Sequence, residues 1–298
     1  MKINSRSLTT MRPRQKAVKS AGPLQPNREA AAEPPKDSQK IEALERGLML
    51  LQAFRRGDQH LGNAELASRV LLPKATVSRL AYTLTAAGFL VFDPVTRRYS
   101  LGPSAIAVGS IALSNTSVRE IARPYLEELA DQMHLNVGLG MQDRTQIMYI
   151  DAFEGNPLIG LRLYSGTRLP LAQTSMGRAI LFAYSPQKRA EVLDQLRESQ
   201  SPREWEQARV GIESAFRDLE AHGFCSSAGE WRQEIHAVAA PLRLPDGRVY
   251  AINAGGPAYL VPIERLDGIG SRLRSIAEAI EQAMGGDTPA PDSLIQDQ

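Results

Sequence analysis

The sequence predicts an α+β chain of two domains: a helix-turn-helix with a small hairpin wing, then a larger unit in which strands and helices alternate. Three observations carry that expectation. The stretch Gly62 to Leu101 is punctuated as helix, tight turn, helix and hairpin. From Leu135 onward, runs rich in Ile, Val, Leu and Tyr alternate with helical periods, which suits a mainly antiparallel sheet with helices packed on it. The charge is also split. Residues 1 to 102 hold 17 Lys and Arg against 8 Asp and Glu, whereas the remainder holds 18 against 25. In a chain of 298 residues, a basic front and an acidic back point to one domain for a polyanion and one for another purpose.

Residues 1–38 are rich in Pro, Lys, Arg, Ser and Gln without apolar periodicity, and read as a disordered basic tail able to add non-specific phosphate attraction. The winged unit is expected over 39–102. Its first helix carries Leu44, Leu48, Leu51 and Phe54 on one apolar face and ends before Gly57. Asn63 reads as the N-cap of a helix from Ala64 to Val70, with Glu65 beside the positive end of its dipole. The helix-turn-helix spans about 62–87. Its second helix opens at Pro73, whose fixed φ suits a first helical position, and stops before Gly88. Val77, Leu80 and Leu84 repeat at helical spacing as its buried stripe. Off the stripe lie Lys74, Thr76, Ser78, Arg79 and Tyr82, side chains suited to phosphates and base edges. Phe89 to Phe92 and Arg98 to Leu101 form the wing, 89–101, around the turn cluster Asp93 to Thr96. Arg97 and Arg98 are expected at its tip, within reach of phosphate or a minor groove.

A linker helix, 103–117, follows, with the apolar run from Ser104 to Leu113 at its centre. The second domain is expected over 118–286, with a flexible tail at 287–298. It opens with a helix from about Val118 to Met133 that places Ile121, Tyr125, Leu129 and Met133 on one face, with Pro124 as a kink or a restart. Strands are expected at Leu135 to Met141, Gln146 to Phe153, Leu158 to Leu163, Phe224 to Ser226, His236 to Leu244 and Arg248 to Ala254. Helices are expected at about Met176 to Tyr184, Gln187 to Leu196 and Glu204 to His222. A last helix carries Leu266, Ile269, Leu273, Ile276, Ile280 and Met284 at helical spacing.

Several function classes are disfavoured. The longest apolar run is too short to span a bilayer, and the basic N-terminus lacks the apolar core of a signal peptide, so the cytoplasm is the expected location. No nucleophile-elbow, phosphate-loop, dinucleotide or zinc-protease motif is present, so no catalytic residue and no cofactor are expected. The single cysteine, Cys225, forbids an internal disulfide, and His60, His134, His222 and His236 share no ligand spacing, so no metal is expected. Cys225 with His222 or His236 as base is the remaining enzymatic option; a strand-end cysteine in an apolar setting is the ordinary one.

KATVSRL after Leu72-Pro73, AAGFL at the helix exit, RRYSLGP at the wing, PYLEELA at Pro124, LPLAQTSMGRAIL at Leu169 and AAPLRLPDGRVYAINAGGP at Ala239 together resemble the isocitrate-lyase-regulator (IclR) family of bacterial transcription factors. The likeness covers nearly everything after Ser38. It implies a winged helix-turn-helix joined by linker helices to a GAF-like α/β effector-binding domain. It also implies double-stranded DNA with a pseudo-palindromic operator as a partner, a homodimer or dimer of dimers, and a small organic acid as effector. The pocket positions implied are Gly160, Leu161, Met176, Gly177, Ser227, Ala237, Asn253 and Gly255. The side chains at 237, 253 and 255 suggest a site less polar than a two- or three-carbon acid needs, and hence a larger or more apolar acid. Two departures fall in the reading unit. Leu71 stands where the family often has Gly, which points to a turn closed differently, because a left-handed leucine would cost roughly 1–2 kcal/mol. Ala75 replaces a frequent Ser or Thr. The rival reading is a winged-helix protein whose second domain is a protein-interaction module without a small-molecule ligand.

Overall fold

The computed structural model describes residues 40–155 and 162–285. The expected tails, residues 158–161 of one expected strand, and the pocket positions Gly160 and Leu161 lie outside them. The chain divides into two compact units between Leu101 and Gly102.

The first unit runs α1 (Glu42–Gln52), β1 (Leu61–Gly62), α2 (Asn63–Val70), α3 (Lys74–Ala86), β2 (Leu90–Asp93) and β3 (Arg98–Leu101). Its strands form an antiparallel sheet in the order β1-β3-β2, so the wing has a third strand that the sequence reading lacked. Leu50, Leu61, Leu66, Val70, Val77, Ala81 and Leu90 make the core, with Leu80 and Leu84 packed at its edge. The stripe of α1 is rotated from the expected one. Leu50 is fully buried, while Leu44 and Leu48 stand 60% and 50% exposed. A helix this apolar offers two candidate faces, and only the packing on α3 selects between them.

Three local expectations are corrected by backbone geometry. The N-cap of α2 is Gly62, whose N–H donates to the Glu65 carboxylate at 2.7 Å; Asn63 is already helical, and its amide donates to the Lys74 carbonyl at 3.1 Å. That bond ties the start of α2 to the start of α3. Pro73 precedes α3 as its N-cap. The turn between the helices does not close differently: Leu71 adopts the left-handed conformation, φ 55° and ψ 39°, and its N–H donates to the Ala67 carbonyl. At the other end of α3, Gly88 has φ 75° and the Phe89 N–H returns to the Leu84 carbonyl at 2.9 Å, a glycine-terminated helix end as expected.

The second unit begins with α4 (Pro103–Ser114) and α5 (Ser117–Met133). It continues through β4 (Asn136–Asp143), β5 (Gln146–Glu154), β6 (Arg168–Pro170), α6 (Ser175–Ala183), α7 (Pro186–Glu198) and α8 (Pro202–His222). It ends with β7 (Cys225–Ala228), β8 (Ile235–Arg243), β9 (Val249–Pro257) and α9 (Leu266–Gly285). Six strands pair in the order β6-β5-β4-β9-β8-β7, every pair antiparallel. Arg162 and Leu163, the end of an expected strand, are not in one. Helix α5 runs unbroken through Pro124, and it buries Val118, Ala122, Leu126, Leu129 and Ala130; Ile121, Tyr125 and Met133 flank that face.

The sheet is covered on both faces. Helices α5 and α9 pack on one, and α6 with α7 and α8 on the other, each over its own apolar cluster. Strand alternation sorts the residues between them. In β9, Tyr250, Ile252 and Ala254 join the first cluster and Ala251 the second. Asn253, in phase with Ala251, is thereby delivered as a polar group to the α6 side.

Candidate functional site

Helix α3 fully buries only Val77 and Ala81. Lys74, Ser78, Arg79 and Tyr82 are exposed on the opposite side, Tyr82 at 78%, and Thr76 is half-buried at the flank. Thirteen residues give a rod of roughly 20 Å. Neither Lys74 nor Arg79 makes an ion pair among the described residues, so both charges are available to a partner.

The wing turn is closed by Asp93, whose carboxylate accepts from the Val95 N–H at 2.9 Å and the Thr96 hydroxyl at 2.6 Å. Those bonds, the Thr96 hydroxyl first, hold its pKa below the usual carboxylate value. Arg97 occupies the turn with φ 55° and is exposed. Arg98 is not at the tip. It is the first residue of β3, and its guanidinium turns back to the His60 carbonyl at 3.3 Å and the Glu65 carboxylate at 3.5 Å. Among the described residues the wing therefore presents one unpaired arginine, Arg97, where two were expected.

In the second unit a cavity opens between β9, β8 and the first turn of α6. Asn136, Tyr149, Leu163, Leu169, Thr174, Ser175, Met176, Ser227, Trp231, Ile235, Ala237, Asn253 and Gly255 line it. Of the expected pocket residues, Met176, Ser227, Ala237, Asn253 and Gly255 are brought together there. Gly177 is not on the wall: its N–H donates to the Thr174 hydroxyl at 3.2 Å, and a Cβ there would stand 1.9 Å from the Leu171 carbonyl oxygen. It is glycine so that α6 can lie against that backbone.

Among the described residues every lining side chain is uncharged, and most are apolar or aromatic. Two buried polar atoms stand out. Ser175 Oγ and Asn253 Oδ1, in residues 1% and 6% exposed, have no hydrogen-bond partner among the described residues. An unsatisfied buried polar group costs about 1–3 kcal/mol, so two in one cavity mark a place where a ligand is useful. The Asn253 amide donates to Tyr149 Oη at 3.0 Å, which leaves the Tyr149 hydroxyl hydrogen to be donated elsewhere. Burial raises the Tyr149 pKa well above the usual phenol value, so that hydrogen stays on. Together the groups supply two hydroxyl donors and one amide acceptor in an apolar setting, which can orient an acid or hydroxyl group and cannot neutralise a highly charged one. The cavity volume is about 30 Å³, room for a water or two.

Sequence reasoning missed Tyr149, Trp231 and Ile235. Tyr149 could have been found by strand parity in β5; Trp231 lies in a hairpin loop that carries no motif. The cysteine question is resolved by burial. Cys225 is wholly buried, its thiol pushed up to about 12 by desolvation, and it donates to the Ser175 carbonyl at 3.4 Å. Such a thiol is not an activated nucleophile. Neither candidate base is shown bonded to it: His236 Nδ1 lies 2.8 Å from the Val261 carbonyl, and the His222 ring makes a tilted contact with Phe224.

With this geometry established, the comparisons give a single answer. The IclR helix-turn-helix domain matches residues 43–94, and the bacterial transcriptional regulator IclR C-terminal domain matches residues 110–282. The HTH-type transcriptional regulator TsaQ1/TsaQ2 of Comamonas testosteroni is 30% identical over 254 residues, covering 84% of this chain and 90% of that protein. The Pca regulon regulatory protein of Pseudomonas putida is 31% identical over 220 residues, 72% of this chain and 74% of that one. A crystal structure of an IclR family transcriptional regulator from Brucella abortus superposes with a TM-score of 0.71 at 37% identity, covering 85% of this chain and 96% of its own. The two matches fall one in each compact unit, and with relatives at 30% and 31% identity they show that the chain belongs to the IclR family of transcriptional regulators.

Proposed function

We propose that this regulator reads a pseudo-palindromic operator as a homodimer and is switched by a small organic acid with an apolar body. The observation that carries the DNA half is the exposed Lys74, Ser78, Arg79 and Tyr82 face of α3, opposite Val77 and Ala81. In this reading α3 enters the major groove. Arg79 makes the bidentate contact to guanine, Lys74 and Thr76 position phosphate, and Arg97 adds salt-sensitive affinity from the wing. Arg98, held by Glu65, contributes less than Arg97.

The dimer is supported by α4. None of its residues is buried, and Ile106 and Ile111 stand 67% and 61% exposed with Val108 and Leu113 beside them. An apolar helix left uncovered in one chain suits burial against a second copy, and two α3 helices then meet half-sites about one turn apart, or a multiple of it. The regulator is expected to work in the cytoplasm, where the DNA is.

The effector half is supported by Ser175 and Asn253 facing a cavity walled by Tyr149, Trp231, Leu163 and Met176. The acid group meets the Ser175 hydroxyl at the start of α6, and the apolar body lies among the rings and aliphatic side chains. Binding then shifts the population between dimer geometries through α4 and α5. A thermal-shift screen of organic acids graded by size, followed by operator binding with and without each hit, tests both halves. Aromatic or longer acids should stabilise the protein and change operator affinity. Tight binding of two- or three-carbon acids alone would overturn the effector class.

A further inference from the structure

One wall of the cavity is held by a charge buried elsewhere. Arg178 is 2% exposed and lies on α6, one turn beyond the cavity-lining Ser175 and Met176. Its Nε donates to the Ala172 carbonyl at 3.0 Å, and both terminal nitrogens meet the Glu230 carboxylate, Nη1 to Oε1 at 2.9 Å and Nη2 to Oε2. Glu230 is on an entirely different element. It belongs to the hairpin loop between β7 and β8, its side chain is 39% exposed, and its neighbour is Trp231, which lines the cavity.

The fork is built for, not incidental. Gly211 sits within α8, and a Cβ there would stand 2.2 Å from Arg178 Nη2 and 2.7 Å from Glu230 Oε2. A mid-helix glycine is a poor helix former, and here its missing side chain is the space the ion pair occupies. Among the described residues the loop has three backbone bonds besides: the Gly229 N–H reaches the Ile235 carbonyl at 3.0 Å, the Ile235 N–H reaches the Arg232 carbonyl at 2.9 Å, and the Ala258 N–H just after β9 reaches the Glu234 carbonyl at 2.8 Å. The first two lie within the hairpin, and the third holds only its base, next to the start of β8. Among the described residues, Glu230 is the side chain of this loop that reaches across to α6.

We propose that the Arg178–Glu230 pair is a latch that holds the Trp231 hairpin closed over the cavity, which makes both residues positioning residues for effector entry and selection. An exposed ion pair contributes little because water screens it equally well. Here one partner is buried, so opening the hairpin strands the guanidinium in the interior. The loop therefore closes by default and opens only transiently. A planar apolar acid that can pack against Trp231 rewards reclosure; a small polar one does not. The selectivity part rests on the effector-pocket reading above, while the latch itself does not.

The test uses the full chain carrying Trp205→Phe, which leaves Trp231 as the sole tryptophan of the two. Acrylamide quenching of Trp231 fluorescence reports how often the hairpin opens, with no ligand present. Glu230→Gln should raise the quenching constant roughly threefold, and Arg178→Lys, which keeps the charge and loses the fork, should raise it by about half as much. Glu230→Asp should restore most of the protection. Glu230 is on an exposed loop, so its variants remain informative if an Arg178 variant does not fold. Unchanged quenching in Glu230→Gln would overturn the latch. Benzoate is then added as the probe. Protection of Trp231 by benzoate but not pyruvate, weakened by Glu230→Gln, supports the selectivity role. Raised quenching in Glu230→Gln with no protection by any acid would leave the latch standing and overturn its link to an effector.

Discussion

Helices α3 and α6 each carry an arginine, and the two are placed in opposite ways. Arg79 on α3 is exposed and makes no ion pair among the described residues, whereas Arg178 on α6 is buried and forked onto Glu230. The helices differ as a whole in the same sense. Of the 13 residues of α3 only Val77 and Ala81 are fully buried, but eight of the nine residues of α6 are. Water satisfies a polar group on α3 at almost no cost, so its identity can be set by the DNA alone. A polar group on α6 must find a partner within the fold or stand unpaired at a cost of about 1–3 kcal/mol. In the proposed function the polar residues on α3 form the recognition surface, and those on α6 either hold the fold together or meet the effector.

The sharpest way to break that contrast is to place alanine once on each helix. Gly177→Ala on α6 places a Cβ against the Leu171 carbonyl oxygen and carbon, backbone atoms that cannot swing aside. We expect a loss of about 3 kcal/mol or more in denaturant unfolding of the second unit. Ser78→Ala on the open face of α3 should stay within about 0.5 kcal/mol of wild type. A Gly177→Ala protein of unchanged stability would show that α6 is not tightly seated.

DNA binding should reverse the order of sensitivity. Arg79→Ala is expected to cost about 1–3 kcal/mol of operator affinity and to blur preference at one base position, with no change in melting temperature. Equal loss across all sequences would reassign Arg79 to phosphate. In the pocket, Ser175→Ala separates a ligand group from a structural one. Its hydroxyl has no partner among the described residues, so removal should leave the free protein as stable or slightly more so. The same change should weaken the effector found by thermal shift by about 1.5 kcal/mol, roughly tenfold in Kd. Loss of stability without loss of affinity would make Ser175 part of the core.

How much of this was legible in the chain follows the same division. The α3 face was readable because a solvated helix face needs only the 3.6-residue period and a list of side chains. Val77 marks the inner side, and Lys74, Ser78, Arg79 and Tyr82 follow. The mainly antiparallel sheet and most strand positions were readable from composition and turns. Leu50 was not chosen over Leu44 and Leu48, because α1 carries apolar residues around most of its circumference and α3 decides which of them is covered. Arg98 looked equivalent to Arg97 because the pairing of β1 with β3, Gly62 opposite Arg98, is non-local, and that pairing puts His60 and Glu65 within its reach. The pocket was named through Met176, Ser227, Ala237, Asn253 and Gly255. Tyr149 and Trp231 escaped because they arrive from β5 and from a hairpin loop, brought there by register and by an ion pair. Non-local pairing is what the sequence hides.

The smallest effect tests the turn that aims α3. Leu71 has φ 55° and its side chain is 89% exposed, so it bears left-handed strain and loses no packing if removed. Leu71→Gly relieves roughly 1–2 kcal/mol of backbone strain, from which the greater freedom of an unfolded glycine takes back about 0.4–1 kcal/mol. The expected outcome is a first unit more stable by about 0.5–1 kcal/mol in denaturant unfolding, with the orientation of α3 retained. Operator affinity measured on the same protein gives the second reading. If affinity holds, Leu71 is a tolerated departure in a turn whose geometry the Ala67 carbonyl already fixes through the Leu71 and Leu72 N–H groups. If stability rises while affinity falls, the exposed leucine belongs with Arg79 and Tyr82 to the surface that meets DNA, and the strain it imposes is the cost of presenting it there.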